Sequence, residues 1–122
     1  MAAIEVVPRL GGDSPGVGVF GRRQVFEAEE VRVGETRIGP EGISPWHHHG
    51  ARTLYGYVAS GTLTLEYGPR GGELVRVSQG EFFRIPRGLV HRDVNRAPVE
   101  AVITNVIIGE GPATIDVSGP DP

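Results

Sequence analysis

Glycine and proline recur so often along this chain that long helices have little room to form. The 122 residues include 19 glycines and 10 prolines, and the longest stretch without either runs from Arg22 to Val33. Glycine in a helix interior costs backbone entropy, and proline removes a backbone hydrogen-bond donor. This spacing therefore predicts an all-β protein built from short strands.

Runs rich in β-branched and aromatic residues lie between these breaks. Their partial alternation of apolar and polar side chains is typical of strands with one buried face. Turn signals such as "GPRGG" and "PRG" separate the runs. The predicted strands cover residues 31–38, 53–59, 62–67, 73–78, 81–86, 89–94 and 99–108.

The stretch 22–33 is the one place where helix competes with strand. Its glutamates and alanine favour a helix, but its apolar residues form no stripe with the 3.6-residue helical period. Val31 and Val33 alternate with polar neighbours as strand residues do. We therefore predict strand here as well.

Size and charge exclude several classes of protein. A chain of 122 residues can bury one core but not two, so we expect a single domain over residues 1–122. A net charge of −3 offers no basic surface for nucleic acid. No window approaches the roughly 20 consecutive apolar residues that span a bilayer, so we expect no membrane partner.

The N-terminal sequence and the absence of cysteine bear on the compartment and on metal chemistry. The first ten residues lack the basic segment and apolar core of a secretory signal peptide, so we expect a cytoplasmic protein. Without cysteine there is no disulfide, no thiolate nucleophile and no Cys-type zinc site. Histidine and carboxylate groups must therefore hold any metal ion.

Three of the four histidines stand side by side in the segment "SPWHHHG". In a strand, successive side chains point to opposite faces, so His47 and His49 can point together while His48 points away. Two ligands rarely hold a catalytic metal ion, and the remaining histidine is His91. It lies in "GEFFRIPRGLVHRDVN", where a predicted strand ends at a proline and a second strand begins after a glycine.

These two histidine segments together resemble the motifs of the cupin superfamily. The second cupin motif, G(x)5PxG(x)2H(x)3N, fits residues 80–95 at every fixed position, namely at Gly80, Pro86, Gly88, His91 and Asn95. The first motif, over residues 42–61, fits at Gly42, His47, His49 and Gly61, with one residue fewer before the first histidine. We expect Pro86, Gly88 and Asn95 to be structural, as a turn and an amide that fixes it.

The resemblance implies a fold and a ligand set. The fold is a small antiparallel jelly-roll β-barrel, the double-stranded β-helix, over about residues 17–117. The ligands are His47, His49 and His91 alone, because Leu54 stands where the family usually has a glutamate ligand. A one-residue register error would place Thr53 or Tyr55 there, and neither restores a carboxylate.

Three neutral histidines leave open positions on an octahedral ion, enough for a bidentate anionic substrate and dioxygen or water. The resemblance implies a metal-dependent enzyme, a dioxygenase if the divalent ion is Fe(II). Zn, Ni, Mn or Cu are the alternative ions, and isomerisation or cyclisation the alternative reactions. A non-catalytic metabolite-binding cupin is the second class. The missing signal peptide argues against a secreted germin-like protein.

Other residues are candidates for roles at the site. Tyr57 and Arg84 are the catalytic candidates, and Glu66, Glu81 and Asp93 are further possible bases. Aromatic residues can line a pocket, although in strands they are usually core residues. The pocket candidates are Trp46, Tyr55, Tyr57, Phe82 and Phe83, with Arg52 as a possible anion partner.

Small barrels expose the edges of their sheets. We therefore expect a homodimer in which "IEVVP" at 4–8 or "QVFEA" at 24–28 pairs or packs across the interface.

Overall fold

A computed structural model describes residues 3–9 and 15–122. The described residues contain ten β-strands and one short 3-10 turn at Pro69–Gly71. The strands are β1 (Phe20–Glu27), β2 (Val31–Ile38), β3 (His47–His48), β4 (Thr53–Ser60), β5 (Thr62–Tyr67), β6 (Glu73–Ser78), β7 (Phe82–Ile85), β8 (His91–Val94), β9 (Ala101–Ile108) and β10 (Ile115–Asp116).

The strands form two antiparallel five-stranded sheets. Strand order is β1-β2-β9-β4-β7 in the first sheet and β10-β3-β8-β5-β6 in the second. Most neighbours in each sheet are far apart in sequence, as in a jelly roll, while β1-β2 and β5-β6 are pairs of consecutive strands. The predicted all-β jelly-roll fold is therefore confirmed. Across the described residues no strand pairing joins the two sheets into a closed barrel.

Residues 22–33, for which the sequence left helix as an alternative to strand, contribute to β1 and β2. β1 and β2 pair as a hairpin, and the Ala28 N–H donates to the Val31 carbonyl at 2.8 Å to close the turn. A bulge interrupts the pairing between Gln24 and Phe26. The alternation of Val31 and Val33 was thus the better guide, because pairing with β9 on the other side of β2 stabilises the extended chain.

Inward-facing side chains of both sheets make one core. On β4 the alternation places Leu54, Gly56 and Val58 inward. Glycine is required at position 56 because a Cβ there would lie 2.2 Å from the Phe83 ring on β7. The buried apolar residues of the core are Ile38, Leu54, Val58, Leu63, Leu65, Val77, Ile85, Ala101, Ile103, Ile107 and Ala113.

Two segments were expected to pair or pack across a dimer interface. The segment "IEVVP" forms no strand within the single chain, and Ile4 is 96% exposed. "QVFEA" lies mostly in β1, at the edge of the first sheet.

In the parts of the chain that the structure describes, no helix has the length and apolar character to cross a bilayer.

Asn95, directly after β8, ties together chain segments that the core needs in register. Its side chain is fully buried, and its Nδ2 donates to the carbonyls of Ile38 at 2.9 Å and Val99 at 2.8 Å. Its Oδ1 accepts from the Ala97 N–H at 2.9 Å. The structure thus gives the amide the fixing role that the motif suggests.

Replacing Asn95 with alanine should destabilise the protein strongly. The change leaves one buried and two partly buried backbone groups without partners, and the loss at a buried group costs about 1 to 3 kcal/mol. We expect the free energy of unfolding, measured by urea denaturation, to fall by about 2 kcal/mol or more. Asn105→Ala is the matched control, because Asn105 makes one side-chain hydrogen bond, to Thr36. Equal losses in the two variants would contradict the assignment.

Candidate metal centre

The structure brings His47, His49 and His91 together between the two sheets. His47 in β3 is paired with His91, the first residue of β8, and His49 follows β3 on the same side as His47. The three ring centroids lie 4.3 to 5.3 Å apart. All three side chains are buried, with at most 3% exposure. His48 belongs to β3 but is not part of this cluster.

A backbone carbonyl orients each of the three rings. The Nδ1 atoms lie 2.8 Å from the Pro45 oxygen for His47, 2.9 Å from the Ala113 oxygen for His49 and 2.9 Å from the Leu89 oxygen for His91. A carbonyl oxygen only accepts, so Nδ1 of each ring carries the hydrogen and donates it.

The same hydrogen bonds leave Nε2 of each ring as an unprotonated nitrogen. Nε2 of His49 and Nε2 of His91 are buried and have no hydrogen-bond partner. Metal-binding histidines usually show this arrangement, in which a hydrogen bond anchors one ring nitrogen, here Nδ1, and the other, here Nε2, is free to bind the metal ion.

Burial keeps these imidazoles neutral. Desolvation lowers the pKa of His47 to about 4 and that of His49 to about 3, and it also lowers the pKa of His91. Neutral imidazole is the form that binds metal ions, so no proton has to leave near neutral pH.

The three histidines fit a divalent metal ion. One ligand nitrogen from each lies within 4.8 Å of the other two. Three protein ligands with further positions open are typical of catalytic rather than structural metal sites. His48 instead faces away, where its Nδ1 accepts from the Gly50 N–H at 3.0 Å. The predicted cluster of three histidines is therefore present, and the donor set suits Fe, Zn, Ni, Mn or Cu.

A cavity of about 50 Å³ opens beside the histidines. Its apolar lining comes from the first sheet and includes Leu54, Ile107 and Phe83. Its basic lining includes Arg22 and Arg32. The cavity thus combines an apolar wall with a charged side to which the acidic Glu35 and Asp93 also belong.

Leu54 lies where the sequence predicted it. It is 5% exposed, is paired with Ile85 and Ile107, and lines the same cavity as the histidines. The position at which the cupin motif has its glutamate therefore carries an aliphatic side chain in the cavity wall.

Asp93 also lines the cavity. It lies two residues after His91 on β8, and its Oδ1 lies 3.7 Å from Nε2 of His91 and 3.9 Å from Nε2 of His47. Burial raises the pKa of the Asp93 carboxyl, although the nearby His91 and Arg22 oppose this. Asp93 is the one member of the proposed set of bases that lies in this cavity.

The catalytic candidates Tyr57 and Arg84 lie elsewhere. Tyr57 points to the outer face of β4, where its ring packs against Phe82 at 4.7 Å between centroids. Arg84 is exposed on β7 and borders a neighbouring apolar groove to which His91 also contributes. Neither lines the histidine cavity. A catalytic role for either stays a prediction.

The remaining polar candidates make structural contacts. Glu66 accepts hydrogen bonds from Arg92 and Arg96, which lower its pKa against the opposing effect of burial. Glu81 accepts from the Ser78 N–H in the turn before β7. Arg52 donates from Nε to the Gly111 carbonyl at 2.9 Å.

Phe83 is the one pocket aromatic of the sequence-based set that lines the cavity. Tyr55, Tyr57 and Phe82 lie together on the outer surface of the first sheet. Trp46 packs under the Arg92 guanidinium, 4.5 Å from its ring centroid.

The motifs do not identify the arginines of the cavity. Arg22 and Arg23 lie in β1 and Arg32 in β2, outside both histidine segments, and strand order brings them to the site. No local sequence signal marks them. Asp93 could have been found, because its spacing of two from His91 in a strand puts both side chains on one face.

A family model described as "Cupin domain" matches residues 34–107, and the chain therefore belongs to the cupin family. The putative germin-like protein 3-2 of Oryza sativa subsp. japonica is 35% identical over 90 residues, which cover 72% of this chain and 40% of that protein. Nectarin-1 of Nicotiana plumbaginifolia is 31% identical over 86 residues, covering 69% of this chain and 38% of that protein. The chain thus spans about two fifths of the length of these curated relatives.

Germin-like proteins are therefore among the proteins that this chain resembles. The likeness concerns the cupin domain. The cytoplasmic location stays a prediction.

Solved structures with the same fold include both enzymes and an uncharacterised protein. A double-stranded β-helix protein from Klebsiella pneumoniae superposes with a TM-score of 0.74 at 20% identity, covering 85% of this chain and 89% of that chain. An oxalate oxidase in complex with the substrate analogue glycolate gives 0.70 at 27% identity, covering 87% and 59%. The polyketide cyclase RemF from Streptomyces resistomycificus gives 0.68 at 27% identity, covering 85% and 75%.

The metal-free protein should lose stability as the pH falls below about 6.5, where histidines of the unfolded chain become protonated. In the folded chain His47 and His49 stay neutral until the pH nears about 4 and about 3. The unfolded state then binds more protons. The free energy of unfolding therefore falls by on the order of 1.4 kcal/mol per pH unit for each such histidine.

Urea denaturation of chelator-treated protein at pH 7 and pH 5 measures this effect. The raised pKa of Asp93 acts in the opposite direction, so the comparison with a variant isolates the histidine contribution. We expect His49→Ala to show a shallower pH dependence than wild type, and the matched variant His48→Ala to keep the wild-type dependence. Identical dependence in His49→Ala and wild type would show that His49 is not held neutral by burial.

Proposed function

We propose that this protein is a metal-dependent enzyme that oxidises a small anionic chelating substrate with dioxygen. The observation that carries the proposal is the group of three histidine ligand nitrogens within 4.8 Å, each ring oriented by a backbone carbonyl. When bound, Fe(II) supplies Lewis acidity and redox chemistry with dioxygen. His47, His49 and His91 hold the ion.

The cavity lining favours a small anion. Arg22 faces the exposed Asp116 at 3.8 Å, a separation at which a surface pair contributes little, so its guanidinium is available to a substrate carboxylate or enolate. Leu54 and Ile107 make the cavity wall contributed by the first sheet apolar. Because imidazole ligands are neutral, they do not cancel the charge of a divalent ion, which adds to this attraction. The volume of about 50 Å³ suits a substrate of few atoms.

Relatives support the oxidative reaction and one alternative. The structure of oxalate oxidase with glycolate associates this fold with a small carboxylic acid. The similarity to the polyketide cyclase RemF favours, as second candidate, a cyclisation or isomerisation that needs no dioxygen and suits Zn, Ni or Mn. A non-catalytic metabolite-binding cupin is the remaining alternative.

The first test is metal binding by protein purified without a histidine tag. We expect wild type to bind one divalent ion per chain by chelator competition. His91→Ala should weaken binding by more than the 10- to 100-fold that outer-shell substitutions typically cost, about 100-fold or more. His48→Ala is the matched control and should bind as wild type does. Equal metal retention in His91→Ala and wild type would overturn the ligand assignment.

The second arm of the same test measures the reaction. Iron-loaded protein is assayed for oxygen uptake with small carboxylic acids, 1,3-diketones, flavonols, phenols and thiols, alongside His91→Ala loaded under the same conditions. Substrate-dependent oxygen uptake by wild type alone supports the proposal. Conversion of a substrate without oxygen uptake favours the cyclase or isomerase, and binding without conversion favours the metabolite-binding protein.

We also infer a homodimer. β1 is an edge strand whose outer side has unpaired backbone groups, and Phe26 on it is 38% exposed. Ile4 and Val6 of the preceding segment are 96% and 83% exposed, and a second copy would cover them. Light scattering at working concentration should give twice the mass of the 13.0 kDa chain. A strictly monomeric mass would contradict the inference.

A further inference from the structure

The histidine cavity contains a buried carboxylate oxygen that no other group satisfies. Oδ1 of Asp93 is buried and has no hydrogen-bond partner among the described residues. The other acidic residue of the lining, Glu35, differs because its carboxylate lies 3.8 Å from Arg23. A buried carboxylate without a partner is costly in free energy, and a metal ion is one of the few partners that offset this cost.

The position of Oδ1 fits a ligand of the same ion that the histidines would hold. It lies 3.7 Å from Nε2 of His91 and 3.9 Å from Nε2 of His47, and it lies outside the group of three histidine nitrogens that are all within 4.8 Å of one another, so it would approach the ion from the side away from His49. Ligand atoms about 2.1 Å from an octahedral ion lie about 3.0 Å apart when they are adjacent and about 4.2 Å apart when they are opposite. A contraction of about 0.7 to 0.9 Å in the two distances to His91 and His47 therefore brings Oδ1 into a ligand position opposite His49.

The backbone holds Asp93 in place. His91 and Asp93 are two residues apart on β8, so both side chains project between the sheets. The Asp93 N–H donates to Ser44 Oγ at 2.8 Å, and the Ser44 N–H donates to the Asp93 carbonyl at 2.9 Å. These contacts tie β8 to the segment that leads into β3, which carries His47. The carboxylate is thus positioned by the same framework as the ligands.

Leu54 leaves the opposite wall without a donor atom. We propose that Asp93 supplies a carboxylate oxygen to the metal ion. Asp93 would then take the role of the glutamate ligand that the cupin motif has at the position of Leu54. The inference rests on the proposed function, because it requires that the three histidines bind a divalent ion. The site then has three neutral nitrogens and one anionic oxygen, with the acidic ligand on the His91 strand instead of on β4.

The experiment measures the dissociation constants of Zn(II) and Mn(II) by chelator competition in wild type and variants. Asp93→Asn keeps the size of the side chain and removes its charge. We expect it to weaken binding about 100-fold or more, beyond the range of outer-shell effects. Glu35→Gln is the matched control, since it removes a carboxylate from the same cavity lining and should change binding less than threefold.

A rescue variant separates ligation from positioning. In Leu54→Glu/Asp93→Asn a carboxylate returns to the cavity from the opposite wall. If Asp93 acts as an anionic ligand, this double variant should recover most of the lost affinity. If Asp93 only orients His91, a carboxylate on β4 has no means of replacing it, and failure to recover affinity overturns the proposal.

Folding is monitored by thermal melting of the metal-free proteins. Asp93→Asn should melt at or above the wild-type temperature without metal, because it removes a buried unpaired charge, and should gain less than wild type when metal is added. If wild type binds the metal ion and Asp93→Asn binds it equally tightly, the Asp93 inference is overturned and the proposed function stands. A wild-type chain that binds neither ion overturns both.

Discussion

The three hydrogen bonds from histidine Nδ1–H groups to backbone carbonyls are the contacts on which the metal centre depends. Two of the acceptors, the oxygens of Pro45 and Leu89, lie two residues before the histidines that they orient. Each chain turn that starts a strand therefore also aims the ring that follows it. The third acceptor, Ala113, reaches His49 from the segment before β10. Without these bonds the rings would be free to rotate, and the tautomer that exposes Nε2 would lose its preference.

The arrangement of strands explains why these histidines meet. β3 and β8 are neighbours in the second sheet, so His47 and His91 are opposite one another although 44 residues of numbering separate them. The Asp93 N–H, which donates to Ser44 Oγ, and the Asn95 N–H, which donates to the Gly42 carbonyl at 2.9 Å, then tie β8 to the segment before β3. The protein keeps three neutral imidazoles and a carboxylate out of water at this point. A bound cation would offset the cost of burying these groups.

Much of this could be read from the sequence, because it rests on local rules. The period of two along a strand separates His48 from its neighbours, and glycine and proline spacing excludes long helices. The same period argues against Tyr57 in the cavity: it is three residues from the inward-facing Leu54, so its side chain lies on the other face of β4. The same period places Asp93, two residues from His91, on the face of β8 that lines the cavity.

The sequence does not reveal the contacts that depend on the order of the strands in the two sheets. Arg22 and Arg32 come to the cavity because β1 and β2 form one edge of the first sheet, and no motif records that placement. Closure is a second example. Strand patterns predict a barrel, whereas the described strands form two facing sheets, because hydrogen-bond pairing between sheet edges depends on strand tilt and stagger, which side-chain alternation does not encode.

The most direct test of the metal centre is a crystal structure of untagged protein loaded with a divalent ion, with anomalous data collected at that metal's absorption edge. We expect one anomalous peak between the sheets, about 2.1 Å from Nε2 of His47, His49 and His91. A peak at His48, or a cavity in which only water contacts these nitrogens at saturating metal, would contradict it.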